Sequence, residues 1–303
     1  MQVSELHRYP VKSMLGEALA EVQVGANGFV GDRAWALRNS TGSLTGKKFP
    51  ALMSAAAKFS TQPTLEEGSA AAQITLPDGT SLSTGDTDIS AKLGAWLETD
   101  VQLWPLVSAE NLDFFRRATQ EDVTPEQMEL ALREVFSRLP DEPLPDMMSW
   151  PSEVLEYDSP PGTYFDAYPI LLLSTAALHT LSSQAPNNFD TRRFRPNILI
   201  DGLSGAFPEN DWVGKQVKIG SAVLSIEMPC PRCIMTTQPV AEIPKDPKIM
   251  RHLVTHNDGN LGVYARVVQP GTMSRGDALH ILQQPVDQTN SKRSDQSPNR
   301  DRT

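Results

Sequence analysis

Short runs in which apolar and polar residues alternate dominate the first third of the chain and predict a β-rich region. Val22 and Val24 alternate with polar neighbours, and a second strand is predicted over residues 33–38. Two further runs flank a Pro-Asp-Gly turn within residues 74–82, the signal of a hairpin. Apolar residues at i, i+4, i+7 and i+8 predict one short helix over residues 89–97.

The middle of the chain has a different pattern. Thr124 precedes Pro125 and stands three residues before Gln127, which predicts a capped helix start. Prolines then interrupt the chain repeatedly, so no regular structure is expected after this helix; they are Pro140, Pro143, Pro145 and Pro151. Residues 119–160 are therefore interpreted as an excursion between two β-rich parts.

The second β-rich part opens on the continuous apolar run of residues 170–173, typical of a strand buried on both faces. Ser174 and Thr175 follow it and begin a helical pattern. Further strands are predicted over residues 197–200, 217–219, 224–228, 261–268 and 278–282. Many short strands with few helices predict a barrel or sandwich. Residues 283–303 hold one aliphatic side chain and are expected to be disordered.

Charge and composition narrow the function classes. The net charge of −10 argues against a nucleic-acid binder. The segment from residue 121 to residue 158 is strongly acidic, with eleven acidic residues and only two arginines. No apolar stretch approaches the roughly 18 residues that a membrane span needs. The N-terminus has no secretory signal pattern, so a cytoplasmic location is expected.

The only two cysteines form the motif Cys230-Pro231-Arg232-Cys233, which has three interpretations. A thioredoxin-type dithiol needs a following helix, which the β-branched residues before Pro239 disfavour. Zinc could recruit His252 and His256, although the eighteen intervening residues exceed the classical spacing of about 12–15. The third is a single thiolate on a metal whose other ligands come from a cofactor. A buried cysteine without chemistry is the default alternative.

A cofactor with a phosphate group would need anion-binding positions elsewhere. Ser174 and Thr175 stand where a buried strand meets a helix N-terminus, although plain helix capping explains them equally well. Arginines 192, 193 and 195 form a basic cluster before residue 196. Lys12 and Arg33 could likewise bind an anion or simply lie on the surface.

Four ordered motifs resemble the MOSC superfamily, in the MOSC_N plus MOSC arrangement of the mitochondrial amidoxime-reducing component and its bacterial relatives. The motifs are Tyr9-Pro10-Val11-Lys12-Ser13, Gly31-Asp32-Arg33 with Trp35, Phe194-Arg195-Pro196-Asn197-Ile198, and Cys230-Pro231-Arg232-Cys233-Ile234-Met235-Thr236-Thr237. The resemblance covers nearly the whole chain up to residue 282.

The resemblance implies an α+β, β-rich fold with a MOSC-type β-barrel, an N-terminal β-rich MOSC_N lobe and a few peripheral helices. The implied divisions are a MOSC_N-like region over residues 1–118, the excursion over 119–160, the MOSC domain over 161–282 and the tail over 283–303. The resemblance also implies that Cys233 is the catalytic residue and binds molybdenum through its thiolate. The implied residues around the molybdopterin are Lys12, Ser13, Arg33, Ser174, Thr175, Arg195, Asn197, Arg232 and Tyr264.

The function implied by the resemblance is a molybdenum oxidoreductase that reduces N-hydroxylated small molecules such as amidoximes and hydroxylamines. Some bacterial relatives carry a ferredoxin domain, but its cluster needs four ligands and only Cys230 remains here. An external electron-transfer protein is therefore expected as partner, and the chain is expected to be a monomer. The alternatives are a molybdenum-cofactor carrier or sulfur-relay module, and a MOSC enzyme of specialised metabolism acting on C–S or N–O bonds.

Overall fold

A computed structural model describes residues 1–117, 123–184 and 189–282 of the chain. The predicted disordered tail and residues 119–122 of the predicted excursion lie outside these described residues.

The strands are β1 Gln2–Arg8, β2 Glu17–Leu19, β3 Glu21–Gly25, β4 Gly28–Phe29, β5 Trp35–Asn39, β6 Gly42–Ser43, β7 Ala56–Phe59, β8 Ala72–Thr75, β9 Ser81–Ser83, β10 Gln102–Pro105, β11 Ile170–Ser174, β12 Ile198–Asp201, β13 Gln216–Ile219, β14 Ala222–Pro231, β15 Asn260–Gln269, β16 Gly271–Ser274 and β17 Leu279–Leu282.

Helices are short and peripheral to the strands. The α-helices are α1 Ile89–Leu97, α2 Leu112–Phe115, α3 Pro125–Phe136, α4 Ser152–Glu156, α5 Thr175–Gln184 and α6 Lys248–Asn257. The described residues also form five 3₁₀ turns, at Pro50–Ser54, Met147–Ser149, Thr191–Arg193, Pro208–Trp212 and Ile234–Thr237. No helix in the described part of the chain is long and apolar enough to cross a membrane.

An eight-stranded sheet forms the framework, in the order β17-β13-β14-β15-β11-β12-β1-β2, and it curls into half a barrel. Only β11 and β12 pair in parallel; the other neighbours in this sheet are antiparallel. All five residues of β11 are buried, as expected for a strand covered on both faces. The β-rich α+β architecture predicted from the sequence is confirmed.

The N-terminal strands are shared between this sheet and smaller ones. β1 and β2 extend the large sheet beyond β12, while β3 lies between β4 and β16 in a three-stranded sheet and pairs with both. Two other three-stranded sheets, β10-β5-β6 and β7-β8-β9, enclose a second apolar core with α1. The N-terminal strands are thus joined by pairing to a strand near the end of the described residues.

The local predictions from sequence are mostly confirmed. The capping box that begins α3 is present, with Gln127 N donating to Thr124 Oγ1 at 3.3 Å and Thr124 N donating to Gln127 Oε1 at 2.9 Å. The expectation that no regular structure follows α3 is wrong. A 3₁₀ turn forms at Met147–Ser149 after Pro145, and the five-residue α4 begins directly after Pro151. Proline is compatible with the first turn of a helix, where its missing N–H costs nothing.

Glu209 gives this framework a testable pH dependence. Its carboxyl is fully buried, and Ser174 Oγ donates to Glu209 Oε2 at 2.5 Å. Burial raises the pKa of Glu209 above its ordinary value of 4.5. The folded protein therefore retains a proton that the unfolded chain releases, so this carboxyl costs stability as pH rises from the unfolded pKa through the folded one.

We expect Glu209→Gln to be more stable than the wild type at neutral pH, with a difference that shrinks as the pH falls towards the unfolded pKa. Urea denaturation of both proteins at about pH 5 and about pH 8 measures this difference. Parallel stability changes of the two proteins between these pH values would contradict the assignment.

Candidate functional site

A polar pocket opens where the N-terminal turns meet the start of β11, the segment before β12 and the end of β14. Its lining residues are Lys12, Ser13, Arg33, Tyr164, Phe165, Asp166, Ala167, Tyr168, Leu171, Arg193, Phe194, Arg195, Asn197, Pro231, Arg232, Cys233, Met235, Thr236 and Tyr264. Most of the residues that the sequence singled out therefore come together from distant parts of the chain.

The cysteine motif lies at the end of β14, and its two cysteines have different surroundings. Cys233 is half-buried, lines the pocket and caps the 3₁₀ turn Ile234–Thr237, so no α-helix follows it as a thioredoxin-type site requires. Cys230 is 1% exposed and does not line the pocket. Arg232 Nη1 donates to Cys230 Sγ at 2.9 Å. Cys233 is thus the cysteine available to a ligand.

Three buried arginines face the pocket without a carboxylate partner among the described residues. Arg193 donates to the carbonyl oxygens of Gln238 at 2.8 Å and Pro244 at 2.6 Å. Arg232 Nη2 donates to the Phe194 carbonyl at 2.7 Å, and Arg195 donates to a backbone carbonyl. Carbonyl groups satisfy these donors but do not neutralise the positive charge as a directly bonded carboxylate would, so the pocket favours an anion.

Two of these buried guanidiniums also retain unused donors. The Nε atoms of Arg193 and Arg232 are buried and have no hydrogen-bond partner in the described structure. A buried donor without a partner costs roughly 1–3 kcal/mol, so a ligand that accepts these bonds recovers that free energy. The donor set therefore fits a group that bears phosphate or other anionic oxygens, with Cys233 beside it.

The ring of Tyr9 contacts two of the pocket cations, Arg195 and Arg33. Its ring contacts the guanidinium of Arg195 at 4.2 Å and that of Arg33 at 4.6 Å from the ring centroid. Its hydroxyl donates to the carbonyl of Pro196 at 2.9 Å. Burial and the nearby Arg33 charge lower the pKa of Arg195 to about 10. The aromatic ring thus offsets part of the repulsion between two guanidiniums.

A buried carboxylate joins the same motifs. Asp32 Oδ1 accepts from Tyr9 N at 2.7 Å, and Oδ2 accepts from Asn197 Nδ2 at 2.9 Å and from Arg33. Asn197 also links strands, because its backbone N donates to Leu171 O at 2.9 Å. This network explains why residues more than 160 positions apart in the sequence line one pocket.

Lys12 and Asp166 line another side of the pocket, and Lys47 lies behind them. Lys12 Nζ donates to Asp166 Oδ1 at 2.8 Å and to the Tyr164 carbonyl at 2.7 Å. Burial lowers the pKa of Lys12, although Asp166 opposes this shift. Lys47 lies near enough to Asp166 and Cys233 for their charges to raise the pKa of Lys47, against the effect of burial.

The backbone is strained where the pocket residues are displayed. Among the described residues, seven other than glycine have positive φ angles, and three of them line the pocket: Ser13 at 68°, Arg33 at 49° and Arg195 at 54°. Such conformations cost on the order of 1–3 kcal/mol each and concentrate at functional sites.

Two residues proposed from the sequence lie elsewhere. Ser174 is buried against Glu209 and caps α5, and Thr175 Oγ1 donates to Asp201 Oδ1 at 2.9 Å. Both stand at the carboxyl end of β11, whereas the pocket lies at the amino end of that strand, beside Leu171. The structure therefore does not bring Ser174 and Thr175 into the pocket.

The histidines of the zinc alternative and Arg192 of the basic cluster also lie outside the pocket that contains Cys233. His252 and His256 stack on α6 with ring centroids 6.4 Å apart and do not line the pocket. In the described ranges, no group of three or more His, Cys, Asp or Glu side chains could hold a metal ion. Arg192 turns outward to Asp190 and Glu242.

Sequence reasoning missed several residues of the site. Asp166 and Tyr168 line the pocket from the segment before β11, and Tyr9 and Lys47 support it. Asp166 and Tyr168 directly precede the apolar run of β11, so a search of the residues before each buried strand would have found them. No local pattern marks Lys47.

Comparison with known proteins gives two family matches. A family model described as the MOSC N-terminal beta barrel domain matches residues 1–102, and the MOSC domain model matches residues 161–280. Together they cover most of the chain. The first ends before the excursion that contains α3 and α4, and the second begins after it.

Curated relatives match over a shorter region. The chain is 34% identical over 134 residues to mitochondrial amidoxime-reducing component 1 of Mus musculus, covering 40% of this chain and 38% of that protein. The Homo sapiens protein of the same name is 30% identical over 134 residues, covering 40% and 39%. The aligned region thus spans about two fifths of the length of these relatives.

A solved structure resembles the chain more distantly. The YuaD protein of Bacillus subtilis has a TM-score of 0.41 and 12% identity, covering 92% of this chain and 93% of that chain. Similarity at this level carries no argument about function.

Substitution of Tyr9 tests how the pocket cations are held. Tyr9→Phe retains the ring between Arg33 and Arg195 but loses the bond to Pro196, whereas Tyr9→Leu loses both. We expect a loss of roughly 0.5–1.5 kcal/mol in unfolding free energy for Tyr9→Phe, and a further loss of about 1–2 kcal/mol for Tyr9→Leu. Urea denaturation measures both; equal losses would show that the ring contacts contribute nothing.

Proposed function

This chain belongs to the MOSC family, and we propose that it is a molybdenum-cofactor oxidoreductase that reduces N-hydroxylated small molecules. The observation that carries the proposal is the set of buried guanidiniums without carboxylate partners beside Cys233: Arg193, Arg195 and Arg232. The names of the amidoxime-reducing relatives give the substrate class.

Each side of the pocket has a separate task in this proposal. The thiolate of Cys233 would hold the metal, because soft sulfur donors suit a transition metal and Cys230 is turned away. Arg195 and Arg232 would bind the phosphate and the polar edge of the pterin. Tyr168 and Tyr264, with ring centroids 5.3 Å apart, would exclude water from one side.

The cofactor, when bound, supplies a two-electron redox centre that can take up the substrate oxygen. For a hydroxylamine the balance is R–NH–OH + 2 e⁻ + 2 H⁺ → R–NH₂ + H₂O. The residues of this chain position the substrate and provide the proton-bearing groups at the pocket. These 303 residues contain only two cysteines, too few for an iron–sulfur cluster beside Cys233; we propose that a separate electron-transfer protein supplies the electrons.

The two cysteine variants test the proposal. We expect the cofactor-loaded wild type to convert benzamidoxime to benzamidine with a reduced viologen dye as donor. Cys233→Ser should lose more than about a hundredfold of this rate, together with sulfur ligation of the metal, and Cys230→Ser should retain most of both.

Metal and pterin analysis with X-ray absorption spectroscopy measures the ligation independently of turnover. Equal loss in the two variants would contradict the assignment of Cys233. Transfer of cofactor to an apo-enzyme, with no turnover of benzamidoxime by the wild type, would instead support a carrier.

The excursion offers a face for the electron donor. Carboxylates of Glu126, Glu129 and Glu134 are exposed on α3, as are Met128 and Leu130. Arg133 compensates only Glu129 among these glutamates. A basic redox protein would therefore be attracted to this helix, and its encounter should weaken as salt screens the charges.

Neutralising α3 tests the docking face. Glu126→Gln, Glu129→Gln and Glu134→Gln combined should raise KM for a basic protein donor by roughly threefold to tenfold at low salt, with an unchanged rate for the small dye. A matched control neutralises exposed acids elsewhere, with Glu66→Gln, Asp100→Asn and Glu110→Gln. Identical donor kinetics in the two triple variants would contradict docking on α3.

A further inference from the structure

The sulfur of Cys230 lies between two side chains that line the pocket. Arg232 Nη1 donates to Cys230 Sγ at 2.9 Å, and the hydroxyl of Tyr264 is hydrogen-bonded to the same thiol. Cys230 itself is 1% exposed and is not part of the pocket lining. One buried atom thus connects a cation at the end of β14 with an aromatic side chain on β15.

The pairing of β14 with β15 is irregular at this thiol. Residues 229–231 of β14 pair with residues 260–263 of β15. Leu261 and Gly262 therefore both lie opposite Cys230, which is the two-against-one arrangement of a β-bulge. Bulges redirect side chains and are frequent beside functional sites. The backbone is thus adapted at the position where the thiol meets its two partners.

The guanidinium of Arg232 is held from two sides. Cys230 accepts from Nη1, the Phe194 carbonyl accepts from Nη2 at 2.7 Å, and the centroid of the Phe194 ring lies 5.6 Å from the guanidinium carbon. Nε of Arg232 is buried and has no partner in the described structure. The two acceptors fix the orientation of the planar fork, while donors remain for an anion.

A thiol orients this guanidinium without neutralising it. Burial raises the pKa of Cys230, and the charge of Arg232 opposes this shift only in part. The thiol therefore stays protonated at neutral pH and accepts the hydrogen bond as a neutral group. A carboxylate in its place would form an ion pair with Arg232 and compensate the charge that attracts an anion.

We propose that Cys230 is a positioning residue, whose neutral sulfur orients the guanidinium of Arg232 towards an anion in the pocket and holds the hydroxyl end of Tyr264. The inference deepens the proposed function, because the anion concerned is the phosphate group of the cofactor. Tyr264 in turn contacts Tyr168 at a centroid distance of 5.3 Å, so the same thiol supports the aromatic side of the pocket. Cys230 acts on the site through these neighbours and does not touch the ligand.

Phosphate binding to the full chain tests this role without turnover. The protein is produced in a host that lacks molybdopterin and is titrated calorimetrically with inorganic phosphate. We expect Cys230→Ala to weaken phosphate binding about fivefold to tenfold, because Arg232 loses an acceptor that orients it. Cys230→Ser retains an acceptor and should stay within about twofold of the wild type, which agrees with the activity expected of this variant.

A double-mutant cycle separates positioning from a general loss of stability. Arg232→Met removes the charge that Cys230 orients, while Arg193 and Arg195 remain to bind phosphate. Cys230→Ala added to Arg232→Met should therefore change phosphate affinity less than about 1.5-fold. Leu93→Ala is the structural control, since Leu93 is fully buried in the second apolar core and its loss should lower stability without changing phosphate affinity.

Cofactor content extends the test to the loaded protein. After production in a host that makes the cofactor, molybdopterin per chain should fall in Cys230→Ala and stay near the wild-type level in Cys230→Ser. Sulfur ligation by Cys233, measured by X-ray absorption, should persist in the loaded fraction of both variants. Loss of that ligation in Cys230→Ser would contradict a role that acts through Arg232.

The outcomes separate this inference from the proposed function. Phosphate affinity that is unchanged in Cys230→Ala, or that falls equally in Cys230→Ser or in the Arg232→Met background, overturns the positioning role and leaves the proposed reaction intact. A wild-type chain that binds no phosphate overturns it as well. Weaker phosphate binding in Cys230→Ala, with no reduction of benzamidoxime by the loaded wild type, supports the positioning role and overturns the proposed reaction.

Discussion

The carboxylate of Asp32 is the contact on which the arrangement of the pocket depends. It accepts hydrogen bonds from Tyr9 N, Asn197 Nδ2 and Arg33, and thereby ties the N-terminal turns to the segment that enters β12. Backbone bonds reinforce this link, since Arg33 N donates to Tyr9 O at 2.7 Å. Loss of this carboxylate would leave the Tyr9 N–H, the Asn197 amide and the half-buried Arg33 guanidinium without their shared acceptor.

Near Asp32, two positively charged guanidinium groups lie close enough to repel each other. Arg33 and Arg195 flank one ring of Tyr9, and Arg195 has no carboxylate of its own among the described residues. Both arginines also adopt left-handed backbone conformations. Charge repulsion and strain of this kind reduce the stability of the folded chain, and a bound anion would relieve the first of them. The repulsion and strain at this pocket are consistent with the proposed anionic cofactor, whose binding would recover part of the lost stability.

The sequence was informative where local rules apply and uninformative where tertiary pairing decides. The buried strand β11 and the capped helix α3 followed from apolar runs and a capping box, and both are confirmed. The motifs around Lys12, Arg33, Arg195 and Cys233 line one pocket, although no periodicity could have placed them together.

The helix N-terminus after β11 shows the limit of local reasoning. It has the chemistry of an anion site, but Ser174 uses its hydroxyl on Glu209 and on the helix itself. Which end of a strand faces a pocket depends on its neighbours in the sheet, here β12 and β15. Asp166 escaped notice for the same reason: it precedes the strand, and its importance comes from Lys12, more than 150 residues away.

The excursion packs against residues that line the pocket, although none of its own described residues is part of that lining. Trp150 and Val154 pack against Tyr168 and Tyr264. Arg138, just after α3, donates to Asp258 O at 3.0 Å and fills the space over the next residue, a glycine with φ of 79° whose carbonyl accepts from the Arg232 backbone. A side chain at that glycine would overlap the guanidinium. The segment that carries the exposed acidic helix therefore contacts, through Arg138, the same turn to which the Arg232 backbone is bonded.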